Sequence, residues 1–196
     1  MKILIGDYLL RDWQRADAPA ITNYANNPKI AANLRDGFPH PYGPSDAEAF
    51  LARAMAMQPP TFFAIASETE AIGSIGLMLG QDVHRLTAEM GYWLAEPFWG
   101  RGIMTQAVMA LVEYAFNTLG LNRVYAEPYI SNPASARVLE KAGFECEGIL
   151  RASVIKNGKV LDQAMYARIR PGIVGGCYDR GCVEPGRSPS GCHDKV

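Results

Sequence analysis

Two glycines separated by one residue mark the part of the chain best suited to bind a ligand. Gly100, Arg101 and Gly102 follow a strand-like apolar segment and precede a long helical pattern. Glycine adopts positive φ angles without strain and lets a ligand approach the main chain closely. Backbone N–H groups at the start of a helix bind anions, and the Arg101 guanidinium can pair with phosphate. These residues predict a pyrophosphate loop. It is not a Walker P-loop, because no Gly-Lys-Ser/Thr follows, and Thr105 stands where the dinucleotide fingerprint needs its third glycine.

A second polar block lies downstream, at residues 132–144. Asn132 is a good N-cap residue, and Pro133 suits the first position of a helix. Gly143 is typical of a helix end. The pattern predicts a short helix that carries Ser135 in its first turn.

At these two stretches the chain resembles the GNAT superfamily of acetyl-CoA-dependent N-acetyltransferases. The resemblance is greatest to the branch of ribosomal-protein N-terminal acetyltransferases, the RimJ/RimL type. The pyrophosphate loop of that family reads Arg/Gln-x-x-Gly-x-Gly/Ala; Gly100 and Gly102 match it, whereas Pro97 departs from it at the first position. The block at residues 132–144 matches throughout and is the more specific motif. The resemblance covers roughly residues 7–170.

The resemblance implies an enzyme that uses acetyl-CoA as cosubstrate, without a metal. An amine would attack the thioester directly in a ternary complex. The implied acceptor is a protein N-terminal amine, on a ribosomal or other protein. Two alternatives stay open: a small-molecule amine such as an aminoglycoside, polyamine or amino-acid analogue, and a non-catalytic CoA-binding sensor.

The resemblance also implies where acetyl-CoA binds: on the strand before the glycine loop, on the loop with the start of its helix, and on the downstream helix. Arg137 could reach the 3′-phosphate or adenine end, although a solvated helix face is the commoner role for such a residue; Glu140 and Lys141 are interpreted as surface charges. The expected contacts are Met90, Gly91, Tyr92, Trp93, Leu94, Trp99, Gly100, Arg101, Gly102, Ile103, Met104, Thr105, Asn132, Ser135 and Arg137.

Three residues are candidates for catalysis. Glu89 is the only acid in the strand at residues 89–94, and a buried carboxylate can deprotonate an ammonium, directly or through a water. Its alternative role is a solvent-facing strand residue, and Glu127 is the second candidate base. The resemblance places the Ser135 hydroxyl near the sulfur as a proton donor. Tyr129 offers another hydroxyl near the cleft, although such tyrosines more often belong to the core.

The periodicity of apolar residues predicts the elements that position these groups. Helices are predicted near residues 18–26, 45–57, 103–119 and 132–142, with Ser45 and Glu48 forming a capping box. Strands are predicted at residues 8–13, 61–66, 71–79, 87–94, 123–129, 146–155 and 161–168. This order favours an α+β domain with one mixed sheet flanked by helices. The resemblance implies a GNAT-like domain, mostly antiparallel and splayed at the acyl-CoA cleft.

Length and charge restrict the remaining possibilities. The chain has 196 residues, 48% hydrophobic content and a net charge of -1, which indicates one globular domain at residues 1–170. This balance gives no indication of a nucleic-acid or membrane partner. The early charges at the N-terminus are untypical of a signal peptide, so we expect a cytoplasmic monomer or homodimer.

The last segment, residues 171–196, has a different composition, rich in glycine and proline. It contains Cys177, Cys182, Cys192 and His193, whose spacing fits no familiar zinc pattern. We therefore expect a loosely ordered extension rather than a metal site or a disulfide.

Overall fold

One mixed sheet forms the centre of the computed structural model, which describes residues 2–173. The strands in that range are β1 (Lys2–Ile5), β2 (Tyr8–Arg11), β3 (Phe62–Ala66), β4 (Ala71–Leu79), β5 (Thr87–Leu94), β6 (Arg123–Ala126), β7 (Glu145–Lys156) and β8 (Lys159–Ile169). The helices are α1 (Ala18–Ala25), α2 (Pro28–Ala31), α3 (Pro44–Ala56), α4 (Ile103–Asn117) and α5 (Pro133–Lys141). The spatial order of the strands is β1-β2-β3-β4-β5-β6-β8-β7, and only the pairing of β5 with β6 is parallel.

Helices pack on both faces of the sheet. Strand β3 shows why, because its successive side chains point to opposite faces. Phe63 and Ile65 belong to the core cluster that contains Val108 of α4, whereas Ala64 belongs to the cluster that contains Ile21 of α1. All of these residues are buried. Helices α4 and α5 therefore cover one face, and α1 and α3 cover the other.

Helix α4 follows the predicted apolar stripe. Met104, Val108, Leu111 and Ala115 recur at helical spacing and are all buried. Their burial fixes the helix across the middle of the sheet. Gly120, at φ +68°, ends the helical region as predicted.

The sheet opens between β5 and β6. Strand β5 pairs with β4 along residues 88–94, but its parallel pairing with β6 stops at Glu89 opposite Tyr125. In the described part of the chain, residues 90–93 therefore have no strand partner on the side of β6, which leaves a free edge there. This opening is the splay that the resemblance implies, and it confirms the predicted α+β fold with a mixed, mostly antiparallel sheet.

Two local predictions were wrong. The sequence interpretation began the sheet at residue 8, but β1 precedes that strand and forms a hairpin with it through a turn in which Gly6 has φ +65°. The proposed capping box of Ser45 and Glu48 does not start α3. The helix begins one residue earlier, and the Gly43 N–H donates instead to the Asp46 carboxylate at 2.8 Å.

Within residues 2–173, no helix is long and apolar enough to cross a membrane. The predictions for Cys177, Cys182, Cys192 and His193 lie outside the described residues. The proposed boundary at residue 170 stays a prediction.

Candidate active site

The free edge of β5 directs backbone groups into the opening of the sheet. The Ala95 N–H donates to the Ile72 carbonyl at one end of the β4–β5 ladder, and the Gly80 N–H donates to the Thr87 carbonyl at the other. Bonded and non-bonded pairs alternate in an antiparallel ladder. The main chain of Tyr92 therefore faces the opening instead of β4. An extended ligand arm could hydrogen-bond to the main chain of Tyr92 in the way that a partner strand would.

The glycine loop has the conformation that its sequence predicts. Gly100 has φ +75° and Gly102 has φ +76°, in the left-handed region that favours glycine. Gly102 is the N-cap of α4 and has no side chain to cap the helix. Among the described residues, no acceptor bonds the N–H groups of residues 103–105. An array of backbone donors at the positive end of a helix is a typical anion site.

Side chains of the loop hold it in place. The Trp99 Nε1 donates to the Leu94 carbonyl at 2.6 Å, which ties the loop to the end of β5. Arg101 donates to the Pro97 carbonyl at 2.9 Å, and its guanidinium lies 5.4 Å from the Phe98 ring centre. Arg101 thus stabilises the loop internally. Its predicted contact with phosphate stays a prediction.

Helix α5 forms the opposite wall. Asn132 is its N-cap, as predicted, and its Oδ1 accepts from the Ser135 N–H at 3.2 Å. Arg137 and Lys141 are exposed and one helical turn apart, so they lie on the same side of α5.

A cleft of about 400 Å³ runs between these elements. Of the predicted acetyl-CoA contacts, only Met90 and Gly91 are outside its lining; they line the neighbouring cavity instead. Lys141, interpreted from sequence as a surface charge, does line the cleft, and Lys29 of α2 lines it as well. Arg101, Arg137 and Lys141 give the cleft a positive charge that suits phosphate groups, whereas the charge of Lys29 is paired with Glu96.

Tyr92 and Ser135 join the two walls at the inner end of the cleft. Their hydroxyl oxygens are 2.7 Å apart, across the gap between β5 and α5. Burial raises the pKa of Tyr92 to about 12, so its phenol is protonated at neutral pH. The pair is a hydrogen-bond donor that carries no charge. Sequence reasoning assigned Tyr92 only to cofactor binding and missed the role its hydroxyl offers.

A second cavity, of about 700 Å³, lies on the α1–α3 side of β5. It shares lining residues with the cleft, including Tyr92, Trp93 and Ser135. The two cavities therefore meet at the hydroxyl pair. Aromatic rings of Phe38, Phe50 and Trp93 contribute to its wall.

Two carboxylates and one arginine lie together in this second cavity. The Arg35 Nη2 is 2.6 Å from the Glu89 Oε1 and 3.5 Å from the Glu127 Oε2. Burial raises the pKa of Glu89, an effect that Arg35 opposes and the neighbouring Glu127 reinforces. The structure thus brings together both candidate bases, and it adds Arg35, which no sequence motif indicated.

Tyr129 lies on the acceptor side of the site. It is buried, lines the second cavity, and donates to the Leu34 carbonyl over 3.4 Å. This bond ties the segment after α2 to the end of β6. The structure gives Tyr129 a role in holding that wall, and its catalytic role stays a prediction.

Sequence reasoning also missed the contribution of residues 29–35. They form the outer wall of both cavities, yet the sequence there carries no recognisable motif. The segment is joined to the base of the glycine loop by an ion pair of Lys29 with Glu96, and the Asn27 Nδ2 donates to Glu96 at 2.8 Å. Only the folded chain brings these residues together.

Comparison with known proteins identifies the family. The family model described as an acetyltransferase (GNAT) domain matches residues 7–145. The chain therefore belongs to the GNAT acetyltransferase family. The resemblance noted from residues 97–102 and 132–144 is confirmed.

Individual relatives match only about half of the chain. A probable N-acetyltransferase of Bacillus subtilis, YjcK, is 42% identical over 106 residues, which are 54% of this chain and 59% of that protein. The ribosomal-protein-serine acetyltransferase of Escherichia coli is 36% identical over 107 residues, or 55% of this chain and 59% of that protein. The chain thus spans less than two thirds of the length of these relatives.

The fold has close counterparts among solved structures. RimL, a ribosomal L7/L12 alpha-N-protein acetyltransferase solved with coenzyme A, superimposes with a TM-score of 0.77 at 24% identity. The match covers 86% of this chain and 98% of that one. At this identity the likeness establishes the fold.

Proposed function

We propose that the protein is an N-acetyltransferase that moves the acetyl group of acetyl-CoA to a primary amine. The observation that carries the proposal is the meeting of two cavities at Tyr92, Trp93 and Ser135. A thioester entering along the positive cleft and an amine entering from the acidic cavity would meet at the same point. Such positioning is the main requirement of a direct transfer.

The cofactor would be held mainly by backbone groups. The N–H groups of residues 103–105 would bind the pyrophosphate, and the free edge of β5 at Tyr92 would bond the pantetheine arm. The Nδ2 of Asn132 has no acceptor within the described residues and could also donate to that arm. Arg137 and Lys141 would neutralise phosphate charge. The coenzyme A bound to RimL is consistent with this arrangement.

In the reaction, Glu89 would take a proton from the ammonium, directly or through a water. Its raised pKa makes it a better base than an exposed glutamate. The amine nitrogen would then attack the thioester carbon, forming the C–N bond as the C–S bond breaks. The nitrogen would lose its second proton as the amide forms, and the departing sulfur would take up a proton to leave as the thiol of CoA. The hydroxyl pair of Tyr92 and Ser135 would donate a hydrogen bond to the departing sulfur. Because both hydroxyls are neutral, they would not repel the thiolate.

The acceptor is proposed to be the N-terminal amine of a protein. The acceptor cavity is open and is lined by Arg35 and Arg53 as well as by acids, which suits a peptide better than a polycation. The E. coli relative named a ribosomal-protein-serine acetyltransferase supports the same choice.

A small-molecule amine is the second candidate. Its support is the acidic side of the same cavity, where Glu89, Glu127 and Asp46 contribute carboxylates. A polyamine or aminoglycoside would use these three groups together. A peptide N-terminus would need only the pair formed by Glu89 and Glu127. A panel of serine- and alanine-initiated peptides, spermidine and an aminoglycoside, each followed by CoA release, separates the two candidates.

Glu89→Gln tests the mechanism. The amide keeps the size of the side chain but cannot accept the proton, so we expect kcat to fall about 10²- to 10⁴-fold. Acetyl-CoA affinity should change little, because Glu89 lines only the acceptor cavity. Glu145→Gln is the matched control: Glu145 is exposed on β7 and lines neither cavity.

Unchanged kcat in Glu89→Gln would show that Glu89 is not the base. Binding of acetyl-CoA by the wild type without turnover on any amine of the panel would instead favour a CoA-binding sensor.

A further inference from the structure

We infer that Arg35 occupies the binding site for the acceptor's ammonium, and that the acceptor binds by displacing its guanidinium from Glu89 and Glu127. The inference rests on the proposed function, because it concerns the same acceptor cavity. It assigns Glu127 a binding role and makes Arg35 an internal competitor that the incoming amine must replace.

The geometry is that of a cation site. A single guanidinium nitrogen, Arg35 Nη2, lies within ion-pair distance of one oxygen from each carboxylate, at 2.6 and 3.5 Å. A protonated primary amine presents three N–H donors on one nitrogen. It can therefore take the place of Nη2 and bond both carboxylates together.

The carboxylates are fixed in the site, whereas the arginine is not. The side chains of Glu89 and Glu127 are 17% and 19% exposed, but that of Arg35 is 62% exposed. Glu89 projects from β5, and Glu127 directly follows β6. The main-chain carbonyl of Glu127 accepts a 2.8 Å hydrogen bond from the Gln163 side chain. An exposed ion pair contributes little to stability, so the guanidinium can leave at low cost.

The backbone beside Arg35 is anchored on both sides. Asp36 pairs with the nearly buried Lys156 of β7 at 2.8 Å. Leu34 accepts the hydrogen bond from Tyr129, and Phe38 packs against the Trp93 ring at 6.2 Å between centres. Rotation of the Arg35 side chain therefore suffices to open the site, without movement of the wall.

Charge balance requires some cation between the two acids. The charged groups facing Glu89 are Arg35 from the segment after α2 and Glu127 beyond β6, with the Tyr125 phenol nearby on β6. Once Arg35 leaves, the acceptor ammonium takes over its role of offsetting the repulsion between the carboxylates. The same exchange delivers the amine to the carboxylate proposed as its base. A neutral alcohol would gain nothing from displacing Arg35, so the exchange selects cationic amines.

Calorimetry with L-alaninamide, a monocation without a carboxylate, tests the inference on the CoA-saturated protein. Arg35→Gln removes the competitor, so we expect alaninamide to bind about two- to fivefold more tightly than to the wild type. Arg35→Lys should restore wild-type affinity. Arg151→Gln is the matched control, since Arg151 is exposed on β7 and lines neither cavity. It should not tighten binding.

A second readout uses turnover. In the free enzyme Arg35 opposes the rise in the Glu89 pKa, so Arg35→Gln should shift the acid limb of the kcat/KM profile to higher pH, whereas Arg151→Gln should leave it in place. Equal or weaker alaninamide affinity in Arg35→Gln, or no binding by either protein, overturns the inference even if acetylation proceeds normally. Tighter binding without acetylation by any variant would keep the inference and reject the proposed function.

Discussion

Replacing Gly102 by alanine tests whether the glycine loop binds the cofactor through its backbone. Gly102 has φ +76° and ψ 0°, and an added Cβ would meet no atom within 4 Å. The substitution therefore introduces no clash, only the strain of a left-handed L-residue, about 1–2 kcal/mol. Any shift of the loop that relieves this strain in the free protein would have to be reversed on binding, because a pyrophosphate on the N–H groups of residues 103–105 would require the left-handed conformation.

The strain should therefore appear in binding. A cost of about 1–2 kcal/mol corresponds to acetyl-CoA affinity about 5- to 30-fold weaker, measured by titration calorimetry. Gly120→Ala is a matched control at the other end of α4. It has φ +68° with no atom within 4 Å of the added Cβ, and it lines neither cavity.

The control should lower the free energy of unfolding by a similar amount, seen in urea denaturation, and leave acetyl-CoA affinity unchanged. Equal acetyl-CoA affinity in the wild type and Gly102→Ala would refute the assignment of the loop as the pyrophosphate site. Equal loss of affinity in both variants would refute it as well, because the effect would then be general destabilisation.

Three further predictions concern catalysis and stability. Tyr92→Phe removes the phenol from the hydroxyl pair, so kcat should fall about 10²-fold with little change in acetyl-CoA affinity; an unchanged kcat would exclude the phenol from the reaction. Because burial raises the pKa of Glu89 in the free enzyme, kcat/KM should be full above that pKa and be lost as the pH falls through it, with the limb lying above the ordinary value near 4.5; a limb at or below that value would contradict the assignment. Asp17→Ala removes the two hydrogen bonds, of 2.7 and 2.8 Å, that the largely buried Arg11 makes to the Asp17 carboxylate. Urea denaturation should therefore show a loss of about 3–5 kcal/mol, and a loss below about 1 kcal/mol would contradict it.

The sequence predicted most of the fold because local signals coincide with the long-range arrangement. The apolar stripe of α4 and the Asn132 cap each depend on near neighbours, and both appear in the structure. Strand β1 was missed because four residues beside a turn give too little periodicity to recognise. The start of α3 was misplaced because two overlapping patterns, Gly43 with Asp46 and Ser45 with Glu48, could each cap the helix. In the structure the Asp46 carboxylate bonds Gly43.

The candidate site was predictable only where it follows a motif. The glycine loop and the start of α5 carry family patterns, and their residues line one cleft. The acceptor side depends on contacts across the chain: Arg35 meets Glu89, and Lys156 meets Asp36, over separations of 54 and 120 residues. No local spacing records such contacts. The Tyr92–Ser135 bond was missed for the same reason, although both residues were on the predicted list.

The most direct test of the central claim is a two-stage measurement on the wild-type protein. Acetyl-CoA binding is first measured by calorimetry, and CoA thiol release is then followed with serine- and alanine-initiated peptides, spermidine and an aminoglycoside. If the proposed reaction is correct, we expect saturable acetyl-CoA binding and thiol release with the peptides, matched by one acetyl group on the peptide N-terminus in the mass spectrum. Absence of acetyl-CoA binding, or binding without thiol release on any acceptor, would contradict it.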